Sequence, residues 1–206
     1  MKIPLLLLLA LFSVLSFSCK KEVVHAEDYF PNEVGYQWNY RWLNDDAIGT
    51  IEVKIVDSKF LSDGQEAKVW QYTYNIESNI YIDTLWVINS SNNVSIYNNF
   101  YLTDSNQMPY EKLHYIFPLE DGRQWFTNVP QGDTTKVLNR ETISVPAGLF
   151  DDVFRISKDI GYATNAGVND TLYFKEHIGL VKYCQHEFLL GPVLGNGVWE
   201  LMDYSF

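Results

Sequence analysis

The sequence predicts an all-β protein: an antiparallel meander of about a dozen strands, curled into an open barrel or a sandwich and built from two related halves. Three observations carry this expectation. Apolar and polar residues alternate with a period of two along much of the chain, turn-forming residues interrupt it at short intervals, and one nonamer occurs twice. No segment has convincing helical periodicity. A sheet of that size has to curl, split or close on itself.

The nonamer Phe30-Pro31-Asn32-Glu33-Val34-Gly35-Tyr36-Gln37-Trp38 returns as Phe117-Pro118-Leu119-Glu120-Asp121-Gly122-Arg123-Gln124-Trp125. Six of nine positions are identical at a shift of 87 residues, and the same shift carries Asp83-Thr84-Leu85 onto Asp170-Thr171-Leu172 and Val94 onto Val181. An internal repeat is therefore expected, with 29–101 in one copy and 116–188 in the other. Proline fixes its own φ and keeps the preceding Phe30 or Phe117 extended. Gly35 and Gly122 then stand where a reversal needs positive φ. A strand follows in each copy. In the first, Tyr36, Trp38, Tyr40 and Trp42 alternate with Gln37, Asn39 and Arg41, so one face is wholly aromatic. Each such ring buries roughly 150–250 Å², enough for this strand to anchor a core.

The remaining strands follow in order. Ile51, Val53 and Ile55 alternate with Glu52 and Lys54. Ser62-Asp63-Gly64-Gln65 is a hairpin signal, after which Trp70, Tyr72, Tyr74 and Ile76 line one face of a third strand. The fourth, from Ile80 to Ile88, is apolar on both faces and reads as central, and Val94 to Leu102 forms a fifth. Leu113, Tyr115 and Phe117 lead into the second copy. There Trp125 starts a strand, Thr134 to Val145 forms the next, Pro146-Ala147-Gly148 breaks it, and Val153 to Ile160 resumes. Leu172 to Phe174 and Leu180 to Tyr183 correspond to the fourth and fifth strands. Val198 to Phe206, apolar to its last residue, is expected to pair inside the sheet.

The N-terminus reads as a targeting segment. Lys2 precedes an apolar run from Ile3 to Leu15, too short to span a bilayer, which takes about 20 residues. Ser16-Phe17-Ser18-Cys19 follows and resembles the lipobox of bacterial lipoproteins. The resemblance implies cleavage after Ser18 and diacylation of Cys19; an ordinary secretory signal with an incidental cysteine is the alternative. The chain thus divides into a signal peptide at 1–18, a polar tether at 19–27 and a β domain at 28–206. Two acyl chains suffice for stable membrane attachment. With Cys19 lipidated, Cys184 would stand alone and read as a small buried side chain in a strand.

Charge narrows the partners. Asp and Glu number 26 against 15 Lys and Arg, a net −11, with no basic cluster beyond Lys20-Lys21, so a nucleic-acid backbone would be repelled. No catalytic group, cofactor or metal site emerges. His25, His114, His177 and His186 are scattered, and Cys184-x-His186 lacks the third and fourth ligands that zinc takes. Gly195-x-Gly197 has no following helix to hold a dinucleotide. The adjacent acids Asp45-Asp46, Glu120-Asp121 and Asp151-Asp152 all sit at predicted turns, where solvated carboxylates are the rule.

Two segments, Tyr29 to Tyr40 ("YFPNEVGYQWNY") and Glu141 to Ile156 ("ETISVPAGLFDDVFRI") with His177 to Tyr183 ("HIGLVKY"), resemble a loose family of uncharacterised bacterial cell-envelope lipoproteins. The resemblance implies a β-rich domain in the cell envelope, with the outer membrane the expected location, and it supplies no activity. Three functions are compatible with this reading: a non-catalytic binding or scaffolding lipoprotein docking on other envelope proteins, a carrier enclosing an apolar ligand in its curled sheet, and a carbohydrate-binding module. The positions of Trp38, Trp70, Trp86 and Trp125 discriminate among them. Packed rings favour the first, rings around a cavity the second, and solvent-facing rings the third.

Overall fold

The structure, a computed structural model, describes residues 25–44, 47–61, 64–98, 111–126, 133–163, 166–186 and 196–206. Among the described residues a four-residue helix, α1 (Ala26–Tyr29), precedes twelve strands. These are β1 (Gln37–Leu43), β2 (Ile48–Phe60), β3 (Glu66–Ile76), β4 (Asn79–Asn89), β5 (Asn93–Asn98) and β6 (Glu111–Ile116), then β7 (Gln124–Phe126), β8 (Thr134–Val145), β9 (Gly148–Ala163), β10 (Ala166–Lys175), β11 (Gly179–Gln185) and β12 (Gly197–Ser205). All pairings are antiparallel, in the spatial order β6-β5-β4-β3-β2-β1-β12-β11-β10-β9-β8-β7.

This order is a meander that turns back on itself. The first and last strands pair along their whole length, from Gln37 opposite Ser205 to Leu43 opposite Val198, with a bulge after Asn39. The two strands left at the edges, β6 and β7, are neighbours in sequence. The Trp125 indole N–H crosses between them to the His114 carbonyl, 2.9 Å away, so the sheet forms a nearly closed barrel. A curled sheet hides its edges, which protects them from pairing with other chains.

Alternation decides what faces inward. In β2, Gly49, Ile51, Val53 and Ile55 are buried while the residues between them are exposed. Trp38, Tyr40 and Trp42 of β1 are buried in the same way, joined by Val137, Ile156, Leu172, Val181 and Leu201 from the other strands. The expected C-terminal strand is β12, and it lies inside the sheet between β1 and β11.

The repeated motif has the same backbone arrangement in both places. Gly35 has φ +101° and Gly122 +81°. The Gly35 N–H donates to the Ile55 carbonyl (2.8 Å) and the Ile55 N–H to the Tyr36 carbonyl (2.9 Å). The Gly122 N–H donates to the Val137 carbonyl and the Val137 N–H to the Arg123 carbonyl, both at 2.9 Å. Asp83-Thr84-Leu85 lies on β4 and Asp170-Thr171-Leu172 on β10, the fourth strand of each set of six. One difference between the copies is the Phe117-Pro118 peptide bond, which is cis.

Three local expectations change. Residues 26–29 form a helix at the end of the stretch read as a tether, too short for any periodicity to reveal it, and Ala26 and Tyr29 are buried. The start of β4 is not central. Residues 85–89 pair with β5, but among the described residues 79–84 have only β3 beside them, so Ile80 (67%), Tyr81 (58%) and Ile82 (64%) are exposed. Asp151-Asp152 lies within β9 at a register irregularity and not in a turn. Asp152, at φ +51°, pairs with Arg140 at 3.0 Å and Asp151 with Lys175 at 3.7 Å. Residues 45–46 lie outside the described residues, and Glu120-Asp121 is exposed at a turn as expected.

Candidate ligand-binding cavity

The inner wall is crowded with rings, yet it does not fill the barrel. Between the walls lies a cavity of about 450 Å³, within the roughly 300–1,000 Å³ typical of small-molecule sites. Trp38, Tyr40 and Trp42 reach it from β1, Trp70, Tyr72 and Tyr74 from β3, Tyr183 from β11 and Trp199 from β12. Period-two alternation puts all of them on one face of a continuous sheet.

These rings hold one another in place. Trp38 stacks on Trp70 at 5.2 Å between centroids. Trp199 meets Tyr40, Tyr74 and Tyr183 at 5.9, 6.0 and 5.2 Å. Their polar ends are tied into the wall. The Trp38 indole N–H donates to the Ile178 carbonyl (2.7 Å), the Tyr40 hydroxyl to the Leu180 carbonyl (2.8 Å), and the Trp70 indole N–H to Asn32 Oδ1 (2.7 Å). With the donors satisfied there, the ring faces remain for the cavity.

One end of the barrel is plugged. Tyr29 and Phe30 pack against Phe117, Phe154, Tyr115 and Phe174. The plug is fastened by the Ala26 N–H to the Ser91 carbonyl (3.3 Å), the His177 N–H to the Asp28 carbonyl (2.5 Å) and Asn89 Nδ2 to the Phe30 carbonyl (2.7 Å). It thus spans the β4–β5 and β10–β11 turns, one from each set of six strands.

Three charged side chains line the apolar space: Asp83 on β4, Lys158 on β9 and Asp170 on β10. Asp170 and Lys158 are buried and stand directly opposite each other on adjacent strands. The Tyr183 hydroxyl donates to Asp170 Oδ2 at 2.7 Å. Burial raises the pKa of Tyr72, Tyr74, Tyr115 and Tyr183 well above the ordinary tyrosine value. Asp83 adds to the effect at Tyr72 and Tyr74, and Asp170 at Tyr115 and Tyr183. These hydroxyls therefore stay protonated at any physiological pH.

Two solved structures share this fold. One is a Bacteroides fragilis protein described as exported and of YmcC-like fold, with a TM-score of 0.53 and 13% identity over 86% of this chain and 99% of its own. The other is a Parabacteroides distasonis protein described as a lipoprotein, with a TM-score of 0.51 and 12% identity over 86% of this chain and 98% of its own. At such identities the likeness is one of fold. No protein-family model matches the chain, and no curated protein is similar to it in sequence.

The motif residues divide among several places. Phe30 and Trp38 line the cavity, Phe117 and Trp125 are buried in the core, and Gly35 and Gly122 sit at the two equivalent turns with Pro31 and Pro118 just before them. Cys19 lies outside the described residues. Trp86 faces away from the cavity, in a separate cluster with Leu61 and Ala67 under Lys59. Cys184 is half-buried, and burial raises its thiol above the ordinary value. Among the described residues no three of His, Cys, Asp and Glu gather as a metal site would require. His177 lies 3.8 Å from both Asp28 and Glu176 in the β10–β11 turn, while His114 faces Ser95.

Sequence reasoning matched Asp83 to Asp170 as copies but assigned them no role, and it passed over Lys158. The available signal was position. Asp83 falls on the same strand face as Leu85, and Asp170 on the same face as Leu172, so a period-two reading places a carboxylate indoors in each half.

Proposed function

We propose that this protein is a cell-envelope lipoprotein, anchored through a diacylated Cys19, that binds an apolar small molecule inside its barrel. The supporting observation is the aromatic cavity of about 450 Å³ walled by Trp38, Trp42, Trp70 and Trp199. Of the three functions compatible with the sequence, a carrier needs such a space. A glycan platform needs rings turned outward, whereas Trp38, Trp42, Trp70, Trp86, Trp125 and Trp199 are all buried. The lipobox-like Ser18-Cys19 and the two structural neighbours, one described as exported and one as a lipoprotein, support the envelope location. The equivalent hydrogen bonds at Gly35 and Gly122 support descent of the two halves from one duplicated unit.

Tryptophan emission tests the binding. Titrating the mature protein with decanol should shift the emission in a saturable way, because four indoles line the space; emission that never saturates removes the reading. A docking role on another envelope protein is favoured by a different feature, the exposed Ile80, Tyr81 and Ile82 on the β3–β4 hairpin. A pull-down from envelope extract that Ile82→Asp abolishes, with decanol binding unchanged, would show that second role.

A further inference from the structure

The two halves place an aspartate at matching positions but surround it differently. On β10, Asp170 stands opposite Lys158 of β9, and both line the cavity. On β4, Asp83 stands opposite Tyr72 of β3, and both line the same cavity. The cation present in one half is replaced by a phenol in the other.

Among the described residues, none supplies the Asp83 carboxylate with a counter-ion. Its Oδ1 accepts the backbone N–H of the next residue, Thr84, at 2.8 Å. Among the described residues no lysine, arginine or histidine pairs with it. Tyr72 and Tyr74 lie parallel at 6.3 Å between centroids, with Trp199 edge-on to Tyr74. A carboxylate beside aromatic rings that line one cavity is the chemistry that holds an organic cation: the rings offer their negative faces and the carboxylate its charge. Counted at their formal charges, the lining residues Asp83, Asp170 and Lys158 sum to one negative charge, which one cation balances and a carboxylate ligand would worsen.

We infer that the ligand is an apolar molecule bearing one positively charged amine, with the amine seated at Asp83 between Tyr72 and Tyr74, in the place that Lys158 fills in the other half. This rests on the cavity being a binding site. It adds a sign of charge and an address for that charge.

Native mass spectrometry of the mature full-length protein with decylamine, decanol and decanoate separates the two levels. The three probes share a tail and differ in the head. The expected order is decylamine above decanol above decanoate, with decylamine preferred over decanol roughly tenfold, the scale of a desolvated cation–aromatic contact. In Asp83→Asn that preference should vanish while decanol binding persists. Tyr72→Lys, which copies the Lys158 arrangement, should reject decylamine and keep decanol, and decanol uptake reports that each variant is folded. Equal binding of all three heads, or preference for decanoate, overturns the charge assignment and leaves the cavity reading standing. Failure of every probe to bind overturns both.

Discussion

Trp38 does three things at once. It packs on Trp70, its N–H holds the Ile178 carbonyl, and its face borders the cavity. Trp38→Ala should therefore cost about 3–5 kcal/mol, read as a lower urea midpoint. Trp38→Phe, which keeps a ring and loses the hydrogen bond, should cost about 1 kcal/mol. Gly35 and Gly122 give a paired experiment. A Cβ at either would meet nothing within 4 Å, so alanine there is penalised by positive φ alone, at about 1–2 kcal/mol each. Similar losses in thermal melts of Gly35→Ala and Gly122→Ala are expected; a loss at only one would show that the two turns are not equivalent. Residue by residue, the sequence was informative about direction. Alternation correctly assigned Trp38, Tyr40, Trp70 and Tyr72 to one face. It carried no information about how far opposite walls stand apart, and so whether the rings pack together or surround a cavity stayed open until the fold placed them around one.

Among the strands, β12 closes the barrel, and its outer face carries the charges that fasten it. Glu200 lies between Arg41 of β1 and Lys182 of β11, in register with both. Arg41 donates to Oε2 through Nε (2.8 Å) and Nη2 (2.5 Å), and Lys182 Nζ donates to Oε1 at 3.0 Å. Burial pushes the Glu200 carboxyl up, but the hydrogen bonds from Arg41 and Lys182, helped by their charges, outweigh it and hold the group below its ordinary value. A carboxyl lowered in the folded state stabilises fully above its unfolded value, 4.5 here, and loses that contribution as pH falls through the folded value. Glu200→Gln should thus lower stability by about 1–2 kcal/mol at neutral pH, and the gap from the parent protein should close under acid. Melting curves that stay equally far apart at low pH would contradict this. The sequence disclosed β12 as a paired strand because its segment ends on an apolar residue, Phe206. Its partner β1 lies at the other end of the chain, and no local pattern encodes that register. The same holds for β4, where the apolar run was visible but not that, among the described residues, only β3 lies beside Ile80 to Ile82.

For the molecule as a whole, the antiparallel meander and its curling were legible because turn spacing and period-two alternation are local properties repeated along the chain. The recurrence of six of nine residues was visible directly in the sequence. The closing of β1 on β12, the plug of Tyr29 and Phe30, and the meeting of Asp83, Lys158 and Asp170 around one space depend on distant contacts and emerged only in three dimensions. The proposed anchoring through Cys19 is also a matter for this scale. Cys19→Ser should leave an unprocessed precursor that takes up no labelled fatty acid, and normal processing in that variant would remove the anchor from the account. The hollow barrel itself is tested most directly by native mass spectrometry of the mature protein as it comes from its own cells. The prediction is a one-to-one complex with a small apolar molecule that added decylamine displaces. A spectrum showing only the lipidated polypeptide, unchanged by any added probe, would contradict it.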